Sequence, residues 1–149
     1  MAGLFWPLLG ILAGACVATQ APINAELSRG LGLPVAAAAA SFLSGAIILA
    51  IVTAVITQFQ GIPLNWRAPA PWLFVVGGAL GAAFVPSNII LIPRVGAAAT
   101  MAFIVAGQLM AGMVLDRIGF LGMAVREITV GRVTGAIMLL AGALLIRFH

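Results

Sequence analysis

The chain has 149 residues, 64% of them hydrophobic and 7% charged, with a mean hydropathy of +1.25. A soluble domain carries roughly a quarter charged residues, so this composition excludes one and indicates a protein solvated by lipid. The net charge of +4 comes from seven arginines and no lysine, set singly at the ends of apolar runs; that excludes the clustered basic face of a nucleic-acid binder and fits membrane anchors.

A transmembrane helix needs roughly 20 mainly apolar residues. Five runs meet or approach this length, at residues 4–28, 34–58, 70–92, 96–115 and 131–148. They predict an all-α membrane protein, a bundle of five transmembrane helices forming one domain over residues 1–149. Gly30 and Gly32 can end the first helix, and Pro34 suits the first turn of the second. Residues 60–71, with Pro63, Pro69 and Pro71, read as a loop. Pro93-Arg94-Val95-Gly96 reads as a tight connection that makes helices three and four an antiparallel hairpin. Residues 116–130 read as the longest loop, with a short surface helix over 123–130. Trp6, Trp66 and Trp72 all fall on the side of the amino terminus, as an interfacial belt would.

Cys16, the only cysteine, excludes an intrachain disulfide and reads as a small packing residue. His149 is the only histidine, so neither a histidine metal cluster nor a catalytic triad is expected. No cofactor is expected, and no nucleophile–base pair marks an enzyme.

Polar residues inside the runs are the informative ones, because a polar group in hydrocarbon is costly unless it faces a bundle interior or a wet cavity. With the amino terminus on side A, Gln20, Asn24, Ser41, Ser44, Ser87, Asn88 and Thr100 all fall toward side B. Gln20 and Asn24 share one helix face, four residues apart. Pro86 leaves the Ala82 carbonyl without its helical donor. Gln108 sits nearer mid-membrane. A polar set at one level points to a binding cavity with Gln20, Asn24, Ser41, Asn88 and Gln108 as candidate substrate ligands. Each has an alternative use: hydroxyls can bond to the preceding turn of their own helix, and amides can hold helices together. Glu26 and Arg29 are spaced for a local ion pair. No acid lies at mid-membrane, which weakens proton coupling through a buried carboxylate.

Several of these residues stand in recognisable surroundings: Gln20-Ala-Pro-Ile-Asn24-Ala-Glu26, Ser41-Phe-Leu-Ser44-Gly45, Gly77-Gly78-Ala-Leu-Gly81, Gly107-Gln108-Leu109 and Asp116-Arg117-Ile118-Gly119. Together they resemble the YdcZ family of inner-membrane exporters in the drug/metabolite transporter superfamily. The resemblance implies a five-helix half-transporter of the bacterial inner membrane that pairs into a ten-helix unit. The last helix resembles the final helix of small multidrug resistance transporters, which implies that Gly135 and Gly142 pack a homodimer. The central glutamate of those smaller relatives is absent here, with Cys16 and apolar residues at its depth.

The function expected is a secondary transporter, an exporter of a small molecule by alternating access, working as a dimer in the lipid bilayer. The alternative is a non-transporting membrane subunit whose amides hold helices or a partner together. Arg67, Arg117, Arg126 and Arg132 fall on side A and Arg29, Arg94 and Arg147 on side B, nearly balanced, so dual insertion and an antiparallel dimer are expected. A parallel dimer with cytoplasmic amino termini is the runner-up.

Overall fold

The structure is a computed structural model that describes residues 2–148. His149 lies outside the described residues. Five helices follow in order: α1 (Ala2–Leu31), α2 (Pro34–Gln60), α3 (Pro71–Val95), α4 (Ala97–Ile118) and α5 (Val130–Phe148), with one 3-10 turn at Phe120–Gly122 between the last two. Among the described residues there is no strand. All five helices are long and apolar enough to cross a membrane. The protein is therefore an all-α, multi-pass membrane protein.

Helix ends follow local chemistry. The Gly32 amide donates to the Ser28 carbonyl (2.8 Å), and Pro34 opens α2, where its missing donor is not needed. The expected four-residue connection after the third run is shorter than its proline suggested. Helix α3 continues through Pro86 and Pro93 to Val95, and Gly96 alone separates it from α4. A turn of one residue demands an unusual backbone, and Gly96 supplies φ +86°, open to a residue without a Cβ.

Helix α4 likewise outruns its expected end. Asp116 and Arg117 extend it to Ile118, and Gly119 stops it. Residues 123–129 are irregular rather than a short surface helix. An isolated helix of that length nucleates poorly. The segment is instead tied back by its backbone, the Arg126 amide donating to the Asp116 carbonyl at 3.0 Å.

The chain divides into two compact units, Met1–Ile90 and Leu91–His149. In the first, α1 packs along α2, and Ala37 and Ala38 of α2 form a small core with Val85 and Ile89 of α3, flanked by Phe84. In the second, α4 packs along α5. Ala99, Thr100, Ala106 and Ala143 are buried there. The cores consist largely of small side chains, as expected where close backbone approach replaces the hydrophobic effect between helices.

Candidate functional site

In the first unit, one face of α1 presents Cys16, Gln20 and Asn24 at successive four-residue steps, interleaved with Thr19, Ile23 and Leu27. Ser41 and Ser44 of α2 stand across from them. The two faces enclose an open groove of about 610 Å³ that also takes in Ala15. Its lining carries no charged side chain.

The hydroxyls divide by their bonds. Thr19 donates to the Ala15 carbonyl (2.8 Å) and Ser44 to the Ser41 carbonyl (2.9 Å), so both serve their own helices. Ser41 instead accepts from Gln20 Nε2 at 3.4 Å, a long bond between helices. A bond at that distance is weak, so a ligand can replace it at small cost. Asn24 is buried, with 4% exposure, yet lines the groove. Gln20, Asn24 and Ser41 thus form a hydrogen-bonding set with both donors and acceptors, next to apolar Ile23 and Leu27.

The other candidates lie elsewhere. Asn88 of α3 is buried at 4% exposure, outside this groove's lining, and its Oδ1 has no partner. Ser87 donates to the Ala83 carbonyl (2.8 Å). Thr100 is fully buried and donates to the Gly96 carbonyl (2.7 Å), the own-helix use of a hydroxyl. Gln108 lines a second groove, of about 370 Å³, formed by α4 and α5 in the second unit. Gly135 lines that groove too, and a Cβ added at Gly135 or Gly142 would meet nothing within 4 Å.

Two features escaped the sequence. Cys16 is exposed on the first groove rather than packed, because the face that presents Gln20 presents it one turn earlier. That spacing was visible; its consequence depends on where α2 lies. In the second groove Arg132 Nη2 donates to Asp116 Oδ2 at 2.7 Å, joining α5 to α4. Sixteen residues separate the pair, and no helical spacing rule links residues that far apart. The Glu26–Arg29 ion pair is formed as its spacing implied. Among the described residues, no group of three or more His, Cys, Asp and Glu side chains is placed to hold a metal ion.

Five apolar spans and, in the first unit, a groove lined by uncharged polar and apolar side chains mark a multi-pass membrane protein. The chain belongs to the YdcZ family: the family described as "Putative inner membrane exporter, YdcZ" matches residues 5–145. The chain is similar to inner membrane protein YdcZ of Escherichia coli (strain K12), 40% identical over 75 residues, which cover 50% of this chain and 50% of the relative. The similarity thus spans about half the length of that curated relative. No solved structure matches the chain. The protein is a multi-pass protein of the bacterial inner membrane.

Proposed function

We propose that this protein is a secondary transporter, an exporter that moves a small polar, uncharged molecule by alternating access. The groove of the first unit carries the reading. Gln20, Asn24 and Ser41 converge on one apolar-walled space of about 610 Å³, within the usual size of small-molecule sites. Polar side chains in such a chain are expensive, and a bound substrate gives them partners. The absence of charge from the lining favours a neutral ligand recognised by hydrogen bonds. The direction, export, rests on the family alone.

The transporting unit is a homodimer of five-helix halves, joined through α5 about Gly142. Gly142 lines neither groove and has open space beside it, so a partner helix can approach it closely, whereas Gly135 lines the α4–α5 groove. An antiparallel pair would present equivalent grooves to the two membrane surfaces, and exchange between two equivalent states gives alternating access, as inverted repeats do.

Flux of a panel of neutral polar metabolites into proteoliposomes holding the purified chain tests the function. Saturable flux that Gln20→Ala and Asn24→Ala abolish, in protein that stays folded, is the expected result. Asn88→Ala and Gln108→Leu belong in the same assay, as those two amides are the remaining candidate ligands. The second reading, a non-transporting subunit, is favoured by the Gln20–Ser41 bond itself, which joins two helices. It predicts no flux of any panel member and a lower melting temperature when either residue is replaced.

A further inference from the structure

The groove between α4 and α5 shares no lining residue with the first groove, and its chemistry differs. Gln108, Gly112 and Asp116 follow one another at four-residue steps on one face of α4, with Leu109 and Met113 beside them. Gly131, Arg132 and Gly135 complete it from α5. Asp116 and Arg132 are paired, yet their side chains keep 29% and 31% exposure. An ion pair that served only to clamp two helices would sit best in close packing. Here glycines at 112, 131 and 135 leave open space beside it, about 370 Å³ in all.

The guanidinium is also one acceptor short. Nη2 donates to Asp116, but Nη1 is sealed from water with no partner. A buried donor without an acceptor is unfavourable. A modest turn of the side chain toward the groove it lines would give Nη1 an acceptor if a ligand brought one. Charge limits what that ligand can be. The Asp116–Arg132 pair is neutral as a whole. A lone anion or cation would leave one member of that pair without its counter-charge and add a net charge to the groove. A molecule with both charges adds none.

We infer that the α4–α5 groove is a second small-molecule site, one that takes a zwitterion with adjacent carboxylate and ammonium groups and an apolar substituent. The carboxylate accepts hydrogen bonds from Arg132, whose planar fork suits it. The ammonium donates to Asp116. Leu109 and Met113 cover the substituent, and the Gln108 amide closes the inner end.

Binding to the purified full chain in lipid nanodiscs, measured by titration calorimetry, tests this without any appeal to transport. L-leucine is the probe, with L-leucine amide carrying only the ammonium and N-acetyl-L-leucine only the carboxylate. Wild type should bind L-leucine saturably and each single-charge analogue at least about tenfold more weakly, the scale of one lost charge-assisted contact. Arg132→Gln should abolish L-leucine binding, whereas Thr57→Ala, in neither groove, should leave it intact. Should Arg132→Gln fail to fold, Gly112→Leu fills the groove at a position where a Cβ meets nothing within 4 Å, and it too should block L-leucine. Equal binding of the three probes, no saturable binding of L-leucine to wild type, or normal L-leucine binding by folded Arg132→Gln or Gly112→Leu would each overturn the assignment.

Discussion

Gln20 and Asn24 sit one helical turn apart on the same groove, but their surroundings differ. Gln20 is exposed and makes one long bond to Ser41, whereas Asn24 is buried. Interhelical hydrogen bonds in membranes average ~0.6 kcal/mol and reach at most ~1.7 kcal/mol. Gln20→Ala, which removes the bond to Ser41, should therefore lower stability by only ~0.6 kcal/mol or less, while Gln20→Ala and Asn24→Ala should both abolish flux. Thermal unfolding in detergent beside proteoliposome flux checks this, and a stability loss with intact flux would return both amides to a structural role. At the far end of α4, Gly119 has φ +61°, and a Cβ there would come within 2.8 Å of Val125 Cγ2 and 3.2 Å of the Met123 carbonyl. A left-handed backbone costs a non-glycine residue roughly 1–2 kcal/mol. Gly119→Ala should destabilise the protein by at least that amount in the same unfolding assay, while Gly112→Ala, in open space, should be near neutral.

At the scale of single helices, most of the fold was legible in the apolar runs, since lipid requires each span to satisfy its own backbone. What was misread were the ends. Pro93 looked like a terminator, yet α3 runs through it to Val95, because a proline near a helix end removes few bonds. The fourth apolar run ends at 115, yet α4 reaches Ile118 and includes Asp116, which is paired to Arg132 of α5. The first groove was half legible. Residues four apart on α1 must share a face, so Gln20 and Asn24 were found, and with them Ser41. Which hydroxyls were occupied by their own helix, and that Cys16 was not packed, depended on geometry that spacing does not carry. Helix α5 shows the same division. Its seven-residue glycine spacing is visible in sequence, but that the space beside Gly135 and Gly142 is open required the structure. A Cβ at either position meets nothing within 4 Å, so the fold should survive replacing both with Leu. If this face forms the dimer, the bulk should hold partner helices apart and convert dimer to monomer, read by light scattering in detergent. An unchanged dimer would place the interface elsewhere.

For the whole molecule, orientation in the membrane depends on small differences. Five spans put the two termini on opposite sides, and cationic residues near span ends bias which side stays in the cytoplasm. Arg67, Arg117, Arg126 and Arg132 belong to the amino-terminal side by helix count, with Arg29, Arg94 and Arg147 opposite. Arg132, however, lies inside α5, which begins at Val130, and is paired to Asp116. It is therefore a poorer topological signal than a loop arginine, and the excess on the amino-terminal side all but vanishes. Insertion in both orientations is the expected result, which supplies the subunits of an antiparallel dimer directly. Arg147, near the end of α5 with its guanidinium 5.8 Å from the Phe148 ring centroid, is a good reporter. Native Cys16 faces the groove and must first become Ala so that it does not react. An impermeant thiol reagent applied to intact cells should then label about half of Arg147→Cys, as balanced charge predicts. Near-complete or near-zero labelling would mean a single orientation, and alternating access would then have to arise in a parallel pair, without the two equivalent end states that antiparallel grooves provide.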